Sequence, residues 1–257
     1  MHERPGHGEL AGRLALVTGG GQRVGAAIVR RLAAAGAAVA VHVHRSRAAG
    51  ERLVAELQGQ GADATLWLAD LRHPEEITRL FAAVTARLGP LDLLVNNAAC
   101  HEPAPLHRHT LESWERTQAL NLRAPFLCSA AVVPRLRAGR GAIVNIADLA
   151  GLLASPGQAA HVAAKAGLVA LTRALDRELG PQVRVNAIAP GLVLPDAGMD
   201  LATQHRLGLR IPRGPTGGVA AVAAAVVFLA VARHVHGICL PVDGGRRAGV
   251  AVPGPPR

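Results

Sequence analysis

Short apolar runs alternate with longer amphipathic stretches along most of the chain. Leu14–Thr18, Ala38–His44, Ala64–Ala69, Leu91–Val95, Ala142–Ile146, Val183–Ile188 and Ile238–Val242 read as strands. The stretches between them show helical spacing: Val24–Ala35, Arg47–Gln58, Pro74–Leu88, Leu111–Leu136, Gln158–Leu179 and Val219–Ala232. Gly36 stops the first helix, and Pro74 opens the third with Glu75 and Glu76 against its N-terminal dipole. Pro125 and Pro134 are expected to interrupt or kink the fourth. Gly191–Pro215 is a long irregular segment, and the Gly/Pro-containing tail from Arg246 is expected to be loose. Strand and helix alternating through short links predict one doubly wound α/β domain: a mostly parallel sheet of about seven strands with helices on both faces. Residues 12–245 form that domain, after an N-terminal extension over 1–11 and before a flexible tail over 246–257. In such sheets ligands bind beyond the carboxyl ends of the strands.

The informative residues fall there. After the first strand the chain reads Thr18-Gly19-Gly20-Gly21-Gln22-Arg23-Val24-Gly25. Glycines at a strand-to-helix turn let the backbone approach a pyrophosphate, and the helix N-terminus offers unpaired N–H groups. A glycine-rich loop with no ligand remains the plainer reading of these residues alone. The second strand ends in His44-Arg45-Ser46. An acidic residue there would suit the ribose hydroxyl of NAD, whereas an arginine beside a hydroxyl suits the 2′-phosphate of NADP. The plainer alternative for Arg45 is a solvated residue opening a helix. Arg23 places a second cation near the phosphates. Asp70, at the end of the third strand, is a candidate acceptor for the adenine amino group or a plain helix cap.

From about Gly12 to Gly245 the chain resembles the short-chain dehydrogenase/reductase family. The matching motifs are Thr18–Gly25, Asp70-Leu71, Asn96-Asn97-Ala98-Ala99, Asn121, Asn186 through Pro190-Gly191, and Val242-Asp243-Gly244-Gly245. Within that family it most resembles the pteridine and dihydropterin reductases, through Arg23, the His42–Ser46 stretch and Asp148 at the catalytic serine position. The resemblance implies a Rossmann-type fold and NADP(H) as cofactor. Gly19, Arg23, Val24 and Gly25 would hold the pyrophosphate, and His44, Arg45 and Ser46 the 2′-phosphate. Asp70 and Leu71 would flank adenine, Asn97 and Ala98 would line the ribose path, and Pro190 and Gly191 would border the nicotinamide. Lys165 would grip the nicotinamide ribose, with Asn121 holding a water relay behind it. The resemblance also implies a homotetramer, formed partly through the helices at 111–136 and 158–179, and a small-molecule substrate.

One position departs from the family. Its Tyr-x-x-x-Lys reads here as His161-Val162-Ala163-Ala164-Lys165, and the chain has no tyrosine at all. Residues four apart share a helix face, so His161 and Lys165 should both meet the cofactor. Composition bears on whether the site is alive. Of 28 basic residues Lys165 is the single lysine, and the five asparagines, Asn96, Asn97, Asn121, Asn145 and Asn186, all fall in family motifs. Drift without selection is not expected to leave rare residues there, so a maintained cofactor site is expected. Reduction of a C=N or C=O bond needs a proton donor. An Asp148–His161 pair is one candidate; a histidine that only fills the phenol's space, with Asp148 or water donating, is the other. The resulting function is an NADPH-dependent reductase of a small, pterin-like substrate, or a catalytically impaired NADPH-binding sensor.

The remaining features narrow the field. The net charge of +10 admits an anionic partner, but the arginines are scattered and aromatics make up only 2% of the chain, which argues against nucleic acid as the main ligand. Three cysteines without ligand spacing argue against disulfides or zinc and for a reducing, cytoplasmic compartment. No apolar stretch reaches the ~20 residues of a membrane span, and no export signal opens the chain. His101, His107 and His109 lie near the expected site mouth, and with no fixed partner set they define no metal site. Ser155 has no acid–base partners beside it. Trp67 and Trp114 read as core or interface aromatics, and Arg206, Arg210 and Arg213 in the 191–215 segment face substrate or water.

Overall fold

The computed structural model describes residues 8–136, 141–193, 208, 211–213 and 218–248. Seven strands form one parallel sheet: β1 (Leu14–Val17), β2 (Ala38–Val43), β3 (Ala64–Leu68), β4 (Leu93–Asn96), β5 (Gly141–Ile146), β6 (Val183–Pro190) and β7 (Cys239–Val242). Their order is β3-β2-β1-β4-β5-β6-β7, so the winding reverses between β1 and β4. The helices are α1 (Arg23–Ala34), α2 (Arg47–Gly59), α3 (Pro74–Leu88), α4 (Leu111–Gln118), α5 (Ala124–Val132), the single-turn α6 (Ala150–Leu153), α7 (Ala159–Leu179) and α8 (Gly218–Val231).

Alternation within the strands divides the core into two layers. Ala15 and Val17 of β1 face one side with Ile28, Leu32, Leu53, Leu57, Val222 and Val226. Leu14 and Leu16 face the other with Leu80, Phe81, Val84, Cys128, Val132 and Leu175. Both faces of the sheet are therefore dry, which is why its strands are nearly continuously apolar.

The departures from the expected elements have local causes. The helix expected over Leu111–Leu136, with breaks near Pro125 and Pro134, is α4, a π-helical segment (Ala119–Arg123) directly before Pro125, and α5, ending in a 3₁₀ turn (Val133–Arg135) that contains Pro134. Pro125 sits in the first turn of α5, directly after the π segment, where its missing N–H cannot serve the preceding helical turn. Leu91 lies outside β4 and bridges to Leu136. Strand β6 extends to Pro190 because β7 pairs with it as far as Pro190↔Val242. The expected extension over 1–11 is not wholly separate: Leu10 is buried, and its N–H donates to Ala35 O at 2.9 Å. Most of the 191–215 segment lies outside the described residues, Arg206 and Arg210 included. Arg213 is described, and its N–H donates to Gly244 O at 3.1 Å. Arg246–Ala248 form a 3₁₀ turn, and the rest of the tail lies outside the described residues.

Candidate active site and cofactor cleft

A cleft of about 1230 Å³ lies over the carboxyl ends of the strands where the winding reverses. One wall is the glycine turn. Thr18 ends β1 with its hydroxyl accepting from the N–H groups of Asn97 (2.9 Å) and Ala98 (3.1 Å). In return Asn97 Nδ2 donates to the carbonyls of Thr18 (2.9 Å) and Gly19 (3.0 Å). This stitching of β1 to β4 leaves no room for side chains. A Cβ on Gly19, which has φ +61°, would lie 2.9 Å from Ala98 Cα, and a Cβ on Gly25 would collide with the Gly19 carbonyl. Arg23 begins α1 at φ +51°, a backbone region that L-residues seldom adopt. The Gln22 side chain makes no capping bond and the first turn of α1 holds no acid. The N-terminal N–H groups and positive dipole end are therefore offered to the cleft, beside Gly19, Gln22, Arg23, Val24 and Gly25. That cradle fits a pyrophosphate.

His44, Arg45 and Ser46 follow β2 and line the same cleft, with His44 and Arg45 exposed. Asp70 and Leu71 line it as well, but Asp70 has a partner the sequence did not suggest. Arg72 Nε donates to its two oxygens at 2.9 and 3.0 Å. That guanidinium bonding outweighs burial and holds the Asp70 carboxyl well below the usual carboxylate range. It does not cap α3, whose N-cap residue is His73. His42 is a second residue that sequence reasoning left without a role. Buried in β2, its Nδ1 accepts from Gly19 N–H at 3.2 Å while Nε2 meets Ala69 O at 3.0 Å. β2 is apolar on both faces, so the one polar ring in it must be satisfied from within the fold.

The other end of the cleft gathers the acid–base groups. His161 and Lys165, one turn apart on α7, are 6% and 3% exposed. Lys165 Nζ donates to Ile146 O at 2.7 Å, and burial lowers its pKa to about 8. Asp148 follows β5, and its Oδ1 accepts from Ala150 N–H at 2.7 Å. Its Oδ2 lies 3.3 Å from His161 Nε2. Burial alone would push this carboxyl up; the bonds from His161 and Ala150 outweigh it and set it below its ordinary value. Asn121, fully buried in the π segment, lies 3.3 Å from His161 Nδ1 and is clasped by the backbone of Cys100. Pro190 and Gly191 close the floor, where a Cβ on Gly191 would lie 2.9 Å from Asp243 Cα.

The residues expected at the site thus line one cleft, apart from Asn121, which sits behind it. His101 joins it too, its ring edge-on to His161 with centroids 4.9 Å apart. His107 and His109 do not line it, and the described residues contain no cluster of three or more His, Cys, Asp or Glu suited to a metal. Arg116 lines the mouth, held by Glu102 at 2.7 Å. Among the described residues no helix is long and apolar enough to cross a membrane.

The family model described as short chain dehydrogenase matches residues 13–206. The chain is 36% identical over 241 residues to a 3-oxoacyl-[acyl-carrier-protein] reductase of Synechocystis sp., covering 92% of this chain and 97% of the relative. It resembles the solved structure of a blue fluorescent protein from a metagenomic library in complex with NADPH, with TM-score 0.87 and 35% identity over 93% of this chain and 99% of that one. The NADP complex of FolM alternative dihydrofolate reductase 1 from Brucella canis gives TM-score 0.89 and 30% identity over 95% and 98%. On motif, fold and relatedness alike, the chain belongs to the short-chain dehydrogenase family.

Proposed function

We propose that this chain is an NADPH-dependent reductase of a C=N or C=O bond in a small substrate, with a pterin-like ring as the first candidate. The observation that carries the reading is a convergence in one cleft. A side-chain-free glycine cradle at an uncapped helix N-terminus lies at one end, and buried Lys165, His161 and Asp148, backed by Asn121, lie at the other. In this reading Gly19, Arg23, Val24 and Gly25 hold the pyrophosphate, and His44, Arg45 and Ser46 the 2′-phosphate. Asp70 and Leu71 flank adenine, Asn97 and Ala98 line the ribose path, and Pro190 and Gly191 border the nicotinamide. The reduced nicotinamide, when bound, supplies the hydride. Lys165 is charged below about pH 8 and hydrogen-bonds the ribose hydroxyls while Ile146 O fixes its amine. His161 stands where the family places tyrosine, and Asp148 where it places serine; together they face the atom that hydride addition leaves electron-rich.

The likeness to a protein named as an alternative dihydrofolate reductase supports the pterin-like ring, and the likeness to a 3-oxoacyl reductase supports a carbonyl. The free cysteines fit a reducing cytoplasmic compartment, and the chain assembles as a homo-oligomer of four copies. The missing phenol favours one competing reading, an NADPH-binding sensor that turns nothing over.

The deciding experiment measures NADPH binding by titration calorimetry and NADPH oxidation with dihydropterins, quinones, ketones and 3-oxoacyl thioesters. Wild type is run beside His161→Tyr. Turnover by wild type that falls in His161→Tyr supports a histidine with its own chemistry. Tight binding with no turnover, and activity gained in His161→Tyr, supports the sensor. No NADPH binding overturns both.

A further inference from the structure

We infer that Asn121 holds His161 as a neutral imidazole with its proton on Nε2, directed at Asp148, so that this position stores no proton for the substrate. The inference deepens the reductase reading, and its catalytic meaning rests on that reading; the tautomer itself does not.

The backbone of Cys100 fixes the Asn121 amide. Its N–H donates to Asn121 Oδ1 at 2.9 Å, and its C=O accepts from Asn121 Nδ2 at 2.8 Å. These two bonds run in opposite senses, so the amide can sit only one way round. Flipped, it would set donor against donor and acceptor against acceptor. The second hydrogen of Nδ2 then meets His161 Nδ1, 3.3 Å away. A proton on Nδ1 would face that N–H inside a buried site, so Nδ1 keeps its lone pair. The ring proton is left on Nε2, 3.3 Å from Asp148 Oδ2, which accepts it.

The groups around the ring weigh on its charge. Asp148, after β5, favours the imidazolium. Lys165, one turn along α7 and buried, disfavours it while protonated. His101 presents a ring edge-on, and the Cys100 thiol, pushed up by burial, stays neutral. Asn121 gives an imidazolium no acceptor at Nδ1, and His161 is only 6% exposed. A phenol in this place would donate an O–H to substrate; the locked histidine spends its one N–H on Asp148. The proton that balances a reduction then comes from water or arrives on the substrate, which suits a C=N bond protonated at nitrogen.

The test is a long-range 1H–15N correlation spectrum of the full chain labelled with 15N-histidine, with and without NADP. The chain has twelve histidines, and His161→Gln identifies the pair of nitrogens lost. The lock predicts a lone-pair-bearing Nδ1 and a protonated Nε2 at neutral pH. Asn121→Asp puts an acceptor at Nδ1 and adds a charge, so His161 should carry a proton on Nδ1 in that variant. A wild-type His161 protonated on Nδ1 or on both nitrogens at neutral pH overturns the inference, and so does an Asn121→Asp spectrum identical to wild type. The wild-type spectrum decides alone if Asn121→Asp does not fold. A locked His161 in a chain that binds no NADPH would sink the reductase reading and leave the lock standing.

Discussion

The His42 ring places both nitrogens on backbone: Gly19 N–H donates to Nδ1 and Nε2–H donates to Ala69 O. Only a neutral ring can do both. Burial lowers its pKa from 6.5 to about 4. The unfolded chain therefore binds this proton more readily than the folded one. His42 contributes its full stability above the unfolded value, near pH 6.5, and loses it as the pH falls towards 4, a contribution on the order of 3 kcal/mol. Asp70 and Asp148 also cost stability in acid, since both carboxyls are held low in the fold, so a comparison of variants is needed. His42→Leu should lose about 1–3 kcal/mol at pH 7, because Gly19 N–H and Ala69 O are left unpaired. It should then lose less than wild type on going to pH 4.5. Urea midpoints at the two pH values read this directly, and equal acid losses in both proteins would rule it out. Lys165 could be found from composition because it is the only lysine; His42 could not, because its partners are backbone atoms of two other segments.

Asn96, Asn145 and Thr172 link three elements through the buried layer. Asn96 Nδ2 donates to Asn145 Oδ1 at 2.9 Å, Asn145 Nδ2 donates to Thr172 Oγ1 at 3.0 Å, and Thr172 Oγ1 donates to Leu168 O at 2.8 Å. The β4–β5 register, with Asn96 opposite Asn145, is what brings the amides together. The ladder pins α7, and with it His161 and Lys165, to the sheet. Asn145→Ala removes both amide bonds and leaves Asn96 Nδ2 with only its longer contacts to Ser129 Oγ (3.4 Å) and Pro125 O (3.5 Å), so a loss of about 1–3 kcal/mol is expected in denaturant titration. Thr172→Val in that background should cost roughly 1 kcal/mol less than it does alone. Strictly additive losses would show that the ladder is not coupled. Strands and long helices were legible because apolar periodicity reports them and both sheet faces are dry. The π segment was not. Leu111–Leu136 keeps helical spacing throughout, and the register change coincides with the Cys100 clasp on Asn121, a contact between residues 21 apart. The motif asparagines were visible as types, but which groups they satisfy depended on strand register.

Helix α8, Gly218–Val231, carries no charged residue, so all its faces are apolar. A helix of that kind is normally covered on every side. Here Val222, Val226 and Leu229 enter the core, while Phe228 is 50% exposed. Beside it runs β7, the edge strand of the sheet, preceded by Ile238 at 38% exposure. A second apolar surface lies on α4 and α5, where Leu111, Trp114 and Phe126 are exposed. Two separate surfaces on one chain, each closed by a two-fold contact with another copy, generate four subunits. The chain should therefore run in light scattering as a tetramer of its 26.5 kDa subunit. Each two-fold contact would bury the exposed half of two copies of Phe228, or of Phe126, worth roughly 1 kcal/mol per side chain. A glutamate in either place adds a buried charge that meets its own symmetry mate. Phe228→Glu and Phe126→Glu should each halve the mass, and the double variant should leave a monomer. Either single variant that stays tetrameric removes its surface from the assembly, and a monomeric wild type at micromolar concentration removes both.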